Sequence, residues 1–327
     1  MTNRDIDWRT QGTPLPCGHR VLDVTRPHYC TYVHLDLLEE SAMAPRDSDG
    51  VERPWHNQDE SLFQTVHRCA EVAFQDVILT LQMAREHMFN DNATEAWKLL
   101  GEWDHPGCPR PEYIRPHVVP SRALQGLHTA QQAMQMLLSM DAANFLSFRK
   151  ELKPASGAES IAFRVIEVLC GIMTNPEAIY AVDRGVEYTF QERLTTPMGK
   201  GDTEPKVIWW THHLDETLEK PTLDQAFAQM LDRRGVTLCR LFEMHDEDVY
   251  DDTLRKLARA LHRVGAKVMS FRQVHKGLAQ RFIPMASSVE FEGTGHTSGV
   301  PYLESTLTRA HCFPELHRFF EENPGLL

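Results

Sequence analysis

The 327-residue sequence lacks the features of several large classes of protein. It has no run of ~18 or more apolar residues, and its first residues, MTNRDIDWRTQG, have none of the apolar character of a secretory signal. Lys and Arg number 34 against 46 Asp and Glu, for a net charge of −12, and no basic cluster occurs, which disfavours a nucleic-acid partner. We therefore expect a soluble cytoplasmic protein that binds neither nucleic acid nor a membrane.

Cysteine is sparse and scattered. The seven cysteines are an odd number without a C-x-x-C pair, which disfavours zinc ribbons, disulfide frameworks and covalent C-x-x-C-H haem attachment. Histidine, in contrast, occurs 17 times. Because its imidazole ligates metals and carries protons near pH 7, the positions of the histidines decide what chemistry the chain can support.

Strand-forming alternation of β-branched residues is also scarce, whereas apolar residues recur at steps of three and four over long segments. This pattern predicts an all-α fold, a helix bundle with additions. The predicted helical segments are Leu62–Met88, a shorter helix within 91–120, Leu124–Leu138, Ala158–Gly171, Leu223–Arg233, Asp252–Phe282 and Tyr302–Phe320.

Two histidines lie on apolar faces of different long helices. His67 has Phe63 four residues before it and Phe74 seven after, and His275 has Phe271 four residues before it. Singly, each is typical of a core histidine bonded to a carbonyl. Together they indicate the two faces of a flat apolar cofactor, since haem iron takes a neutral imidazole and its macrocycle needs an apolar slot.

Arg164 lies among apolar residues in SIAFRVIE. A buried guanidinium is costly unless it meets a carboxylate, and its fork geometry suits bidentate binding of one. Two interpretations remain open from the residues alone: an internal salt bridge with Glu167 or Glu159, or a ligand carboxylate.

The segment Gly293–Gly299, GTGHTSG, holds three glycines and three hydroxyl side chains. Such a loop allows the backbone to approach a bound group closely, although a surface loop is the simpler alternative. No Gly-Lys-Ser/Thr follows and no strand precedes it, so phosphate and dinucleotide binding are unsupported.

Five segments occur together in one recognisable order. They are YCTYVHLDLL from Tyr29, DESLFQTVH ending at His67, LKPASGAESIAFRVIE containing Arg164, FRQVH ending at His275, and GTGHTSGVPYLEST from Gly293. In this order they resemble the tryptophan 2,3-dioxygenase family of haem-dependent aromatic oxygenases. The matching blocks extend from about Tyr29 to the C-terminus.

The resemblance implies an all-α homotetramer in which a non-covalent b-type haem is held between long helices and reacts with O2. The whole chain, 1–327, would form one oxygenase domain, with residues 1–50 as an N-terminal arm that packs on a neighbouring subunit. Tyr29 and Tyr32, in that arm, would act across the interface.

The resemblance also implies roles for the candidate residues. His275 matches the proximal iron ligand, and His67 matches a distal histidine near the indole nitrogen of the substrate. Arg164 matches the arginine that holds the amino-acid carboxylate, and Phe63 matches a pocket aromatic.

The glycine-rich loop is expected to contribute four further residues. Thr294 would contact the polar end of the substrate, and His296 would add a titratable group close to it. Gly293 and Gly295 would allow the backbone to approach the haem.

The expected reaction is insertion of O2 at the indole C2–C3 bond of L-tryptophan or a substituted tryptophan, giving an N-formylkynurenine-type product. Where family members carry a large indole side chain after the distal histidine, this chain has Ala73, which we expect to open space near the pocket. This difference leaves an alternative, single-oxygen transfer to a modified tryptophan or to tyrosine in secondary metabolism. A haem-binding sensor or carrier without turnover, and a helical interaction protein without haem, are alternatives of another class.

Overall fold

The described part of the chain belongs to two units, Met1–His56 and Asn57–Leu327. The computed structural model describes residues 53–104, 118–119, 121–152, 160–172, 177–190, 192, 212–243, 252–283 and 297–327, with 13–14 and 20–21. In the first unit, Thr13–Pro14 (β1) pairs antiparallel with Arg20–Val21 (β2). Most of the predicted arm, including Tyr29 and Tyr32, lies outside the described residues.

Helices make up most of the described second unit, which confirms the predicted all-α class. The α-helices are Gln58–Phe89 (α1), Ala93–Leu100 (α2), Arg122–Gln135 (α3), Ala142–Phe148 (α4), Ile161–Leu169 (α5), His212–Leu218 (α6), Leu223–Arg233 (α7), Leu238–Glu243 (α8), Asp252–Phe282 (α9), Val300–Arg309 (α10) and Pro314–Glu322 (α11). Short 3-10 helices cover Met136–Ser139, Arg149–Leu152 and Pro324–Leu326. The strands are Trp103–Asp104 (β3), Val118–Val119 (β4), Ile179–Asp183 (β5) and Val186–Thr189 (β6), paired β3 with β4 and β5 with β6.

The two long helices, α1 and α9, form the frame of this unit. Both pack against α3. Phe74 of α1 meets Phe271 of α9, whereas Phe63 and Phe282 both contact Phe145 of α4. Since the residue numbers fall along one helix as they rise along the other, α1 and α9 run antiparallel.

The contact between α1 and α3 depends on Gly126. A Cβ atom at this position would lie 2.5 Å from Cγ2 of Val77 and 3.3 Å from the carbonyl oxygen of Ala73. The glycine therefore allows the two helix backbones to approach closely, and it packs against a residue without any exposed side chain, since Val77 is 0% exposed.

A β-hairpin, β5–β6, was not predicted from the sequence. Its turn residues Arg184 and Gly185 have φ values of +52° and +80°, as a tight two-residue hairpin turn requires. The flanking segments, IYAV and VEYT, are rich in β-branched and aromatic residues, which was the available signal. The hairpin packs on α10, where the Ser305 hydroxyl accepts a hydrogen bond from the backbone N–H of Val182 at 2.9 Å.

The predicted single helix over Tyr302–Phe320 is wrong, because the chain breaks between α10 and α11. Phe313 has a left-handed φ of +50°, and Pro314 begins the next helix. Proline disfavours helical backbone at the preceding residue and provides no N–H to continue the first helix. The periodic pattern continued across the break because Phe313 is itself fully buried.

A buried carboxyl group lies at the start of α7. Asp224 is 9% exposed and lies close to Glu315 of α11. Burial, with repulsion from Glu315, raises the pKa of Asp224 to about 7.

In the described residues, no helix is long and apolar enough to cross a membrane.

Replacing Gly126 with alanine is expected to lower the free energy of unfolding by about 1–3 kcal/mol, because the added methyl group overpacks the α1–α3 contact. The control is Gly277→Ala on α9, where nothing lies within 4 Å and the better helix propensity should raise stability by up to about 1 kcal/mol. Both are measured by denaturant unfolding. Equal shifts in the two variants would contradict close packing at Gly126.

The raised pKa of Asp224 predicts a pH-dependent cost. The folded state binds a proton more tightly than the unfolded state, so this stabilisation is present below about pH 4 and is lost as the pH rises through about 7. The free energy of unfolding of Asp224→Asn, relative to that of the wild type, should therefore increase from pH 5 to pH 8, by on the order of 3 kcal/mol at most. Unfolding at both pH values tests this, with exposed Asp232→Asn as control; a gain independent of pH would count against it.

Candidate active site

A large cavity lies between the two long helices. Its volume is about 1020 Å³, at the upper end of the range for small-molecule sites. The walls come from α1, α4, α5, α9 and α10, and the lining includes all four described candidate residues: Phe63, His67, Arg164 and His275. The sequence therefore identified residues that the fold does bring to one place.

His67 faces this cavity from α1. Its Nδ1 lies 2.7 Å from the carbonyl oxygen of Phe63, one turn earlier. Because a carbonyl oxygen only accepts hydrogen bonds, Nδ1 carries the proton. Burial lowers the pKa of His67, although the bond to Phe63 opposes this effect. The ring is therefore neutral, and its Nε2 is left as a hydrogen-bond acceptor. The simpler interpretation, a histidine bonded to a carbonyl, holds alongside its position in the cavity wall.

His275 faces the same cavity from α9. Within the described residues, the structure shows no hydrogen bond to its imidazole. Burial, with smaller contributions from His67 and Arg164, lowers the pKa of His275 to about 4. A neutral imidazole with unengaged nitrogens that faces a cavity has the state that binds a metal ion.

Phenylalanine rings form two walls of the cavity. Phe74, Phe163 and Phe271 meet with ring centroids 5.2–5.3 Å apart and join α1, α5 and α9. At the other end, the ring of Phe63 lies against that of His67, with centroids 4.2 Å apart and planes tilted by 39°, and it contacts Phe145 at 5.8 Å. These walls make the space beside the histidines apolar.

Arg164 is held in place by Glu167, one of the two salt-bridge partners considered from the sequence. Its Nη1 lies 2.7 Å from Glu167 Oε2 and donates to the hydroxyl of Tyr180 at 2.5 Å. Glu167 is 0% exposed. The internal salt bridge therefore exists, and Arg164 lines the cavity at the same time.

The helix that carries this pair is fixed at both ends. The Ser160 side chain caps its start by accepting from the N–H of Phe163 at 3.1 Å. Gly171, with φ of +77°, ends it, as predicted, and the N–H of Ile172 donates back to the carbonyl of Glu167 at 3.2 Å.

Two buried residues of the site have no predicted role in the sequence pattern. Arg272 lies in the FRQVH segment, three residues before His275, and its Nη2 pairs with Glu167 Oε1. Tyr180 comes from the hairpin β5 and donates to Glu167 at 3.2 Å. The position of Arg272, one helical turn from a candidate ligand on the same face, was the available signal.

The glycine-rich loop is described only from Thr297 onward. Thr297 and Gly299 line the cavity, and the N–H of Ser298 donates to Asp183 of the hairpin at 2.8 Å. The four candidate residues of the loop, Gly293, Thr294, Gly295 and His296, lie outside the described residues.

The expected effect of Ala73 on the pocket is wrong. Its carbonyl oxygen faces Gly126 at the α1–α3 contact, and the residue is absent from the described cavity lining. Its side chain is partly buried and packs against the hydrophobic core.

Comparison with known proteins identifies the family of this chain. A model of the tryptophan 2,3-dioxygenase family matches residues 16–232, more than half of the chain. The chain belongs to the tryptophan 2,3-dioxygenase family.

Individual relatives extend the match beyond that range. A tryptophan 2,3-dioxygenase of Nocardioides sp. is 29% identical over 287 residues, which cover 85% of this chain and 88% of the relative. One of Ruegeria sp. is 26% identical over 292 residues, covering 88% and 90%. One of Xanthomonas oryzae pv. oryzae is 25% identical over 310 residues, covering 88% and 85%. At these identities the chain is a divergent member of the tryptophan 2,3-dioxygenase family.

Proposed function

We propose that this protein is a haem-dependent dioxygenase that adds both atoms of O2 across the indole C2–C3 bond of L-tryptophan or a substituted tryptophan, giving an N-formylkynurenine-type product. The observation that carries this proposal is one apolar cavity in which imidazoles from two antiparallel helices and a buried guanidinium meet. Membership of the family, and the names of the relatives, support the same reaction.

The residues present fit a b-type haem. The cavity of about 1020 Å³ has room for a flat macrocycle beside a second ring system, its walls are largely phenylalanine and aliphatic, and His275 offers a neutral imidazole. His275 would hold the iron. When bound, the haem supplies the redox chemistry that allows O2 to react with an indole ring.

The other side chains bind and orient the substrate. The unprotonated Nε2 of His67 is suited to accept a hydrogen bond from the indole N–H. Arg164 would bind the carboxylate and so fix the far end of the substrate, which places the indole ring for reaction. Phe63, whose ring lies against that of His67, would pack against the aromatic ring of the substrate and exclude water.

Residues outside the described ranges complete the proposed site. Thr294 and His296 would contact the polar end of the substrate, and Gly293 and Gly295 would allow the loop backbone to approach the haem. The proposed assembly is a homotetramer located in the cytoplasm.

In that assembly, residues 1–50 would reach into a neighbouring subunit's site. Tyr29 and Tyr32 would contact the substrate there.

The mass of the product tests the reaction. Haem-loaded, reduced protein given L-tryptophan and ¹⁸O₂ should yield a product that carries two labelled oxygen atoms, since both atoms of O2 are inserted. Mass spectrometry reads the number directly. One labelled atom would support single-oxygen transfer instead, and binding without any product would support a sensor or carrier.

Replacing His275 with alanine tests the iron ligand. We expect the variant to lose haem, or to lose the absorption spectrum of histidine-ligated iron, because no other imidazole on α9 lines the described cavity. The control is His262→Ala on the same helix, which lies outside the cavity lining and should retain both. If His275→Ala keeps full haem content and an unchanged spectrum, the ligand assignment is wrong.

A further inference from the structure

The carboxylate of Glu167 is shared by two arginines. One oxygen, Oε2, lies 2.7 Å from Nη1 of Arg164, and the other, Oε1, pairs with Nη2 of Arg272. Tyr180 adds its hydroxyl between them, 3.2 Å from Oε1. All four side chains are nearly buried, with exposed fractions of 0–7%.

Arg272 lines the cavity and is anchored by backbone groups of the neighbouring helix. Its Nη1 donates to the carbonyl oxygens of Thr306 and Ala310, at 2.9 and 3.0 Å, at the end of α10. Its two terminal nitrogens are therefore engaged by protein groups. Arg164 differs, because in the described part of the chain neither its Nε nor its Nη2 makes a hydrogen bond.

The charges of this cluster do not cancel. Two guanidinium groups and one carboxylate leave a net charge of +1, since the pKa of Tyr180 is raised by burial and its hydroxyl stays neutral. A buried, uncompensated charge is costly in a medium of low dielectric constant. An anion that binds at Arg164 would bring the cluster to neutrality.

Without Arg272 the same cluster would be neutral. Glu167 would then be the full counter-ion of Arg164, and a ligand carboxylate would meet the repulsion of that neighbouring carboxylate. The attraction for an anion thus depends on the second arginine, whose terminal nitrogens are engaged by Glu167 and by two backbone carbonyl groups.

We propose that Arg272 is a positioning residue for substrate binding: by neutralising Glu167, it leaves Arg164 free to bind the carboxylate of the substrate. This inference rests on the proposed function, which supplies the carboxylate-bearing substrate. Arg272 lies on the same helix as His275, one turn away.

The experiment uses full-length, haem-loaded protein and two probes, L-tryptophan and tryptamine, which lacks the carboxylate. Dissociation constants come from the change in haem absorbance, and KM and kcat are measured for L-tryptophan. Arg272→Met is expected to weaken L-tryptophan binding by about ten- to a hundredfold, the worth of a charge-assisted hydrogen bond, and to leave tryptamine nearly unchanged. KM should rise more than kcat falls.

A double variant separates charge from packing. Glu167→Gln combined with Arg272→Met restores the net charge of +1, so L-tryptophan affinity should recover over that of Arg272→Met alone. Arg272→Lys should recover part of it. The control is Arg259→Met, which removes a charge from the same helix at a position bonded to Leu326, and should change neither affinity.

Several results would overturn the inference. Equal weakening for both probes, or no recovery in the double variant, would mean that Arg272 only joins α9 to α10. If Arg272→Met does not fold, Glu167→Gln alone decides: its net charge of +2 should tighten L-tryptophan binding and leave tryptamine unchanged, and any other outcome contradicts the inference.

The two proposals fail separately. Wild-type protein that prefers L-tryptophan to tryptamine yet forms no doubly oxygenated product would contradict the proposed function and leave the role of Arg272 standing. Wild-type protein that shows no such preference would contradict the role of Arg272, whatever product it forms.

Discussion

The ion pairing of Glu167 is the interaction on which the polar wall of the cavity depends. Removing charged groups from water costs several kcal/mol per ion, so these side chains can be buried only if each finds its partners. Arg272 satisfies this demand through α9 and the end of α10, and Tyr180 through the hairpin. One carboxylate on α5 therefore fixes the relative positions of elements far apart in the chain.

The remaining walls are governed by a different force. Phe74, Phe163 and Phe271 join three helices through ring contacts, while the space next to them stays open and lined by two imidazoles. Aromatic packing gives rigidity without polar groups that would compete for a ligand. The cavity thus has an apolar part suited to flat rings and, at Arg164 and Arg272, a cationic corner.

The helices could be predicted from the sequence because the spacing of apolar residues along a helix is a local pattern. Helices α7 and α9 begin and end at the predicted residues. Pairing across the fold has no such local signature. The sequence offered Glu167 as one partner of Arg164 but could not show that Arg272, 105 positions further on, would compete for it. Phe313 misled for a related reason: it is buried, so it extended the apolar pattern through a backbone break.

The start of α1 fixes more than a helix end. The side chain of Asn57 accepts from the N–H groups of Asp59 and Glu60, and its amide donates to the carbonyl of Asn144 and the hydroxyl of Ser147 on α4. These hydrogen bonds hold the first turn of α1 against α4, which forms part of the cavity wall. Each residue advances a helix by about 100°. A shift of one position at Asn57 would therefore rotate the imidazole of His67, ten residues later, away from the cavity. The orientation of the His67 ring thus depends on the side-chain amide of Asn57, which lies roughly 15 Å away along the helix axis at a rise of about 1.5 Å per residue.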